Sequence, residues 1–202
     1  MPSIRFRKAL SGVLLFLLAA TPMAGPAFAQ EPAAKPAAAV PGVKGDMLFW
    51  IQDAESKLIE LAEAIPADKY SWKPAEGVRT IAQVLMHAAT ANLGIPTFIG
   101  VKPPEGFDFR TYETSTTDKA EVIKRLKASF EHTRNAVLNI KDADMDNPVD
   151  LFGNKTTVRG TAMLFVTHNH EHLGQMIAYA RSVGVTPPWT VREQAAMKEG
   201  GK

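Results

Sequence analysis

The segment FVTHNHEHLGQMIAYAR, residues 165–181, holds three of the five histidines in a chain of 202 residues. His168 and His172 are four residues apart, so on a helix they lie about 40° apart around the axis and about 6 Å apart along it. The apolar stripe of the same segment includes Phe165 and Met176, and the two histidines continue it. The segment therefore predicts a helix that turns two imidazole rings towards one point inside the protein.

Two segments that precede it repeat apolar residues at spacings of three and four. The first pattern predicts a helix over 46–65, which Pro66 stops. The second pattern predicts a helix over 78–100, which Pro96 ends or kinks because proline removes a backbone donor.

A third apolar stripe runs over 122–137, with Thr117 or Asp118 as the predicted N-cap of its helix. The helix that carries the histidine pair is predicted over 157–183, and it ends at Gly184. No segment alternates with the period of two expected of a strand. The sequence thus predicts an all-α fold, a four-helix bundle with some connections long enough to cross over the bundle.

The N-terminal residues 1–29 have the pattern of a secretory signal peptide. A basic start that includes Arg5 and Arg7 precedes an apolar run, and Ala27 and Ala29 supply an A-x-A-like cleavage site. The apolar run is about a dozen residues, where a membrane-spanning helix needs about twenty. We therefore expect cleavage after Ala29, no membrane span afterwards, and a periplasmic or secreted protein.

Composition divides the rest of the chain and limits its partners. Residues 30–45 are rich in alanine and proline and are predicted to be a flexible linker. Residues 46–190 are predicted to form the bundle. Residues 191–202 are predicted to be a C-terminal tail, which the preceding prolines keep from continuing the helix. The formal net charge is only +2, without a basic run, so no nucleic-acid partner is expected. The chain has no cysteine, so neither disulfides nor a lipid anchor on cysteine are expected.

Two histidines are too few for a zinc-like ion, whose catalytic sites take three protein ligands and a water. The other candidates are His87, at the margin of an apolar helix face, and His132, which shares a solvated face with Arg125. His87 is therefore the preferred third ligand. His170 is rotated by about 200° from His168 and is predicted to face away from the ion.

Two polar neighbours of the pair are candidates to support the ligands. Glu171 is turned by about 100° from His172 on the helix, so it either accepts a hydrogen bond from a ligand ring or is simply solvated. Gln175 lies on the inner face and either reaches a ligand or contacts a neighbouring helix. No catalytic side chain is predicted.

Other classes of protein fit the sequence less well. His168, Glu171 and His172 match the H-x-x-E-H signature of a peptidase family, but the 30 residues after His172 offer no further downstream ligand. A ferritin-like di-iron protein requires E-x-x-H pairs, and none occurs in the chain. A non-catalytic periplasmic module that binds a metal or a small ligand stays open as an alternative.

Two motifs together resemble the DinB / YfiT-like superfamily of bacterial four-helix bundles. One is IAQVLMHAA with His87, after a lead that contains Trp72, Pro74 and Gly77. The other is HNHEHLGQMIAYARSVGVTPP, residues 168–188, in which the matching positions are His168, His172, Gly174, Gln175, Arg181, Gly184, Pro187 and Pro188. The resemblance covers about residues 46 to 190, and it departs from the usual pattern at Leu173, where an arginine often stands.

The resemblance implies a bundle with crossover connections and a divalent metal ion, zinc or nickel, held by His87, His168 and His172. It implies a metal-dependent hydrolase or a thiol-dependent transferase acting on a small molecule that the sequence does not identify. Many members form dimers, so a homodimer is left open. The predicted signal peptide sets this chain apart from a cytosolic role.

Overall fold

The computed structural model describes residues 40–200, and within them five α-helices and one β-hairpin form. The predicted signal peptide and most of the predicted linker lie outside the described residues. None of the helices in the described range is long and apolar enough to cross a membrane. The elements are α1 (Gly42–Ala64), α2 (Ile81–Gly94), α3 (Lys119–Asn139), β1 (Pro148–Leu151), β2 (Asn154–Thr157), α4 (Val158–Ser182) and α5 (Pro188–Gly200).

Helices α1 to α4 pack as a bundle in which two pairs of consecutive helices, α1 with α2 and α3 with α4, are not close neighbours in space. The principal contacts join α2 to α3, α1 to α4, α1 to α3 and α2 to α4. Helices α1 and α2 therefore stand diagonally across the bundle, and so do α3 and α4. The predicted four-helix bundle with crossover connections is confirmed, and this order places α2 beside α4, the two helices that carry the candidate ligands.

Local sequence signals begin and end these helices where expected. Asp118 is the N-cap of α3 and accepts a hydrogen bond from the backbone N–H of Glu121 at 2.8 Å. Pro96 lies in a 3-10 turn, Ile95–Ile99, that follows the end of α2. Gly184 follows α4 with a φ of 82°, the left-handed conformation in which helices commonly end.

The prediction that the chain has no strands was wrong for β1 and β2. They pair antiparallel through a two-residue turn, and both turn residues, Phe152 and Gly153, have positive φ, at 54° and 82°. Such a turn matches the twist of a short hairpin. Each strand has only four residues and none of them is fully buried. Strand β1 alternates between exposed and half-buried residues, but over too short a run to mark a strand in the sequence.

Two boundaries also differ from the sequence prediction. Helix α1 begins at Gly42, inside the predicted linker, because Lys44 donates to the carbonyl of Ile140 at 3.0 Å and so ties the first turn of α1 to the end of α3. Most of the predicted C-terminal tail is helical, since Pro188 starts α5. Proline is favoured in the first turn of a helix, so the prolines end α4 but permit a new helix.

The core of the bundle contains a chain of buried polar side chains at the level of the histidines. The Nδ2 of Asn169 donates to the Oδ1 of Asn92 at 2.8 Å, and Asn92 Nδ2 donates to the Ser129 hydroxyl at 3.3 Å. These bonds link α4, α2 and α3. Because buried amides are costly unless they are paired, the network favours one alignment of α4 on α2.

Candidate metal centre

Three imidazole rings meet between α2 and α4. The Nε2 atoms of His87 and His168 are 3.3 Å apart, and those of His168 and His172 are 3.2 Å apart. All three candidate ligand atoms lie within 4.8 Å of one another. The structure thus brings together the three histidines that the sequence singled out, although metal binding by them stays a prediction.

The positions of the three histidines on their helices explain why their rings meet. The first turn of α2 is fixed by a capping box, in which Thr80 accepts from the backbone of Gln83 and Gln83 accepts from the backbone of Thr80. His87 follows two turns later on the side that faces α4. On α4, the separation of four residues stacks His168 and His172 on one face.

The distances between the nitrogens fit a tetrahedral cation. Nitrogen ligands about 2.0–2.1 Å from zinc in a tetrahedral site stand about 3.3–3.4 Å from each other. Two of the nitrogen pairs here are 3.2 Å and 3.3 Å apart. The rings would therefore need little movement to hold such an ion.

Hydrogen bonds at the opposite ring nitrogens orient two of the three ligands. The Nδ1 of His87 donates to Oε2 of Glu113 at 2.7 Å, and the Nδ1 of His172 donates to Oε1 of Gln175 at 3.0 Å. A proton on Nδ1 leaves the lone pair on Nε2, the atom that faces the other rings. The Nδ1 of His168 is buried and has no partner within residues 40–200.

Glu113 is the main residue of the centre that the sequence did not reveal. It lies in a 3-10 turn, Tyr112–Thr114, between α2 and α3, and it binds both His87 and Arg79. The Nε of Arg79 donates to its Oε1 at 2.7 Å. A carboxylate 26 residues after His87 in an irregular segment matches no spacing rule, so only the need for some acceptor at Nδ1 could be anticipated.

Burial favours the neutral, metal-binding form of the two rings on α4. Burial, together with the neighbouring His172, His87 and Arg79, lowers the pKa of His168 to about 4. Burial also lowers the pKa of His172. Burial raises the pKa of Glu113, but hydrogen bonds from Arg79 and His87 outweigh it and hold that pKa below its ordinary value. Neutral imidazoles beside an ionised carboxylate are suited to a cation.

Of the remaining candidates from the sequence, one contacts a ligand ring and the others do not. Gln175 contacts a ligand ring, as one of its two readings proposed, and its Nε2 donates to Tyr179 at 3.2 Å. Glu171 is exposed and its side chain makes no hydrogen bond among the described residues, as its reading as a solvated residue expects. A role in supporting a ligand stays a prediction. His170 faces away, with its Nδ1 bonded to the carbonyl of Val166 at 2.8 Å.

His132 on α3 also stays apart from the cluster, as expected from its position on the third helix. It is half-buried, not fully solvated, and its Nε2 has no partner within the described range. Burial lowers its pKa, as it does for His168 and His172. A depressed histidine pKa is therefore not sufficient to identify a ligand in this protein.

Comparison with known proteins agrees with the fold. The family model described as DinB superfamily matches residues 51–176, which include His87, His168 and His172. The chain belongs to the DinB superfamily. The match spans the principal helices of the bundle from α1 to α4.

Members of the superfamily with sequences or structures similar to this chain come from several bacilli. The uncharacterized protein YjoA of Bacillus subtilis (strain 168) is 30% identical over 135 residues, which are 63% of this chain and 82% of YjoA. A DinB-like protein from Bacillus cereus ATCC 10987 has a TM-score of 0.63 at 20% identity, covering 72% of this chain and 95% of its own. YfiT from Bacillus subtilis, described as a probable metal-dependent hydrolase with an unusual four-helix bundle topology, has a TM-score of 0.58 at 16% identity, covering 75% and 94%. At these identities the last two support the fold alone.

Glu113→Gln is expected to weaken zinc or nickel binding by about 10–100-fold, since partners that orient a ligand ring contribute that much to metal affinity. The amide keeps an acceptor for His87 but loses the charge that favours a cation. Competition titration with a chelating dye measures the change. Glu131→Gln is the matched control, because Glu131 on α3 is exposed and its side chain bonds to none of the described residues. Equal affinities for the two variants would contradict the role of Glu113.

The metal-free protein is expected to lose stability as the pH falls from about 6.5 to about 4. The pKa of His168 is lowered from 6.5 to about 4 in the folded state. Between these values the unfolded chain binds a proton that the folded chain does not, so acid favours unfolding; above pH 6.5 neither binds it. We expect a loss of about 2–3 kcal/mol in unfolding free energy across this window.

Urea unfolding of the chelator-treated protein at several pH values measures this loss. His168→Gln removes the titrating ring, so its stability is expected to fall less steeply over the same window. A wild-type profile that is flat between pH 6.5 and 4, or one that is identical in the variant, would contradict the prediction.

Proposed function

We propose that this member of the DinB superfamily binds a divalent cation, zinc or nickel, through His87, His168 and His172 and acts as a metal-dependent hydrolase or a thiol-dependent transferase. One observation carries the proposal. Three Nε2 atoms converge, and two of them are fixed as lone-pair donors by the bonds of His87 to Glu113 and of His172 to Gln175. The description of YfiT as a probable metal-dependent hydrolase is consistent with it.

Three protein ligands suit catalysis better than a purely structural role, because structural zinc sites are closed by four. A cation held by three imidazoles supplies a Lewis acid that lowers the pKa of a coordinated water or thiol. The chain supplies the rings, favours the neutral form of His168 and His172 by burial, and orients two of the rings through Glu113 and Gln175.

The surroundings favour a reaction that needs no separate carboxylate base. Glu113 already accepts hydrogen bonds from His87 and Arg79, and Glu171 is exposed. Among the described residues, no other carboxylate belongs to the cluster or bonds to its rings. A nucleophile that the cation itself makes acidic, whether water or a thiol, fits this arrangement.

The proposal includes the cellular location of this chemistry and the class of its substrate. The N-terminal sequence supports export to the periplasm or the medium, and the small net charge supports a small-molecule substrate and not a nucleic acid. N-terminal sequencing of the protein recovered from a periplasmic fraction would test the export. A full-length chain that begins at Met1 in the cytosolic fraction would contradict it.

A screen of the zinc- and nickel-loaded protein against esters, amides and thiol adducts tests the activity. Turnover by the wild type that disappears after chelation and in a His87→Ala variant would support the proposal. Turnover that survives both changes would place the chemistry at another site. Metal binding without turnover of any substrate class would favour the non-catalytic binding module.

A further inference from the structure

Arg79 lies beside the three histidines and uses only part of its hydrogen-bonding capacity. Its Nε donates to Oε1 of Glu113 at 2.7 Å and its Nη2 donates to Oε2 at 3.3 Å. The side chain is 42% exposed. The ion pair therefore holds the guanidinium in place while leaving one of its edges open to solvent.

The open edge can be identified from the geometry of the group. A guanidinium has five N–H donors in one plane, and two of them, on Nε and Nη2, are engaged by Glu113. The second N–H of Nη2 and both of Nη1 have no acceptor among residues 40–200. One N–H of Nη1 and one of Nη2 point the same way and form a fork that matches the two oxygens of a carboxylate.

This fork is close to the candidate metal centre. Oε2 of Glu113 is shared between Nη2 of Arg79 and Nδ1 of His87, so two consecutive hydrogen bonds separate the guanidinium from a ligand ring.

The local charge favours an anion. Histidine rings bind a metal in their neutral form, and the single charge of Glu113 is balanced by that of Arg79. A divalent cation in the centre would add two positive charges that these residues do not offset. A small molecule with one anionic group would find complementary charge both at the cation and at Arg79.

We infer that the substrate carries a carboxylate, which binds the Nη1–Nη2 edge of Arg79 while the reacting group of the same molecule lies at the cation. Arg79 is thus a specificity-determining residue, and Glu113 holds both Arg79 and His87 in position. This inference rests on the proposed metal-dependent function, because it requires a cation at the three histidines.

Two thiols that differ only at the far end test the inference. The cobalt(II)-loaded protein is titrated with 3-mercaptopropionate and with 3-mercapto-1-propanol, and the visible spectrum of cobalt reports thiolate binding. The carboxylate is expected to bind about fivefold more tightly, as a partly exposed ion pair of about 1 kcal/mol provides. Arg79→Gln is expected to abolish this preference, since the amide can still bond to Glu113 but carries no charge.

Two further variants separate Arg79 from general effects. Arg159→Gln removes an exposed arginine in the first turn of α4, where it pairs with Asp146. This variant is expected to keep the fivefold preference. Arg79→Lys keeps the charge without the fork and is expected to show an intermediate preference. Arg79→Lys also allows the inference to be tested if Arg79→Gln disturbs cobalt binding through its contact with Glu113.

The outcomes distinguish the inference from the function on which it rests. A wild type that binds cobalt but both thiols equally would overturn the inference and leave the metal centre standing. A preference that persists in Arg79→Gln and Arg79→Lys would come from chelation by the cation and would overturn it too. A wild type that binds no cobalt would remove the proposed function itself.

Discussion

The His168→Ala, His172→Ala double variant is expected to lose zinc and nickel binding almost completely. Structural zinc sites with four ligands bind with about 10–16 kcal/mol, which is about 2.5–4 kcal/mol for each ligand. The loss of two ligands should therefore lower the affinity by about 10⁴-fold to 10⁶-fold. His87 remains, but a single imidazole offers no chelation. Metal analysis of the dialysed proteins, beside a competition titration, measures the effect.

The same chain offers a matched control for this experiment. His132→Ala with His170→Ala also removes two half-buried histidines, one of them from α4, but neither belongs to the cluster. This control should retain the metal content of the wild type. The proposed centre would be refuted if the wild type and the His168→Ala, His172→Ala variant both held almost no metal. An equal loss of metal in the control variant would show that the histidines act through folding alone.

The helical part of this molecule was predictable because burial leaves a periodic trace in the sequence. The stripes of α1 to α4 recur every three or four residues, and Asp118 and Gly184 mark helix ends by their capping chemistry. The histidine pair was predictable for the same reason, since a spacing of four on one helix fixes its geometry. His87 could be added because its helix face was apolar, and the family resemblance pointed to the same residue.

The parts that were missed depend on contacts between distant segments. Glu113 reaches His87 from a turn whose path no local pattern determines, and Arg79 joins the centre only through Glu113. The first turn of α1 depends on Lys44, which bonds to a carbonyl 96 residues away. The hairpin β1–β2 has four-residue strands without a fully buried side chain, so the alternation in β1 is too short to predict a strand. Sequence periodicity predicts what each helix buries, but not which irregular segment supplies a ligand's hydrogen-bond partner.

Phe165→Ala is expected to lower the free energy of unfolding by about 3–5 kcal/mol, because a cavity forms when a large buried aromatic ring is removed. Phe165 is only 1% exposed, and its carbonyl accepts a hydrogen bond from Asn169 at 2.7 Å. The side chain lies on α4 one turn before the histidine pair. Urea unfolding of the metal-free protein at neutral pH measures the loss.

Two variants provide a scale for this loss of stability. The stabilisation by metal then shows whether Phe165 also matters for the metal centre. Phe165→Leu should cost less than about 1.5 kcal/mol, and Phe49→Ala, at a ring that is 63% exposed, should change stability by about 0.5 kcal/mol or less. A saturating metal stabilises any chain that binds it according to its affinity. If core packing and the centre are independent, metal should stabilise Phe165→Ala and the wild type by the same increment. A smaller increment in Phe165→Ala would mean that this ring also holds α4 in the position that metal binding requires.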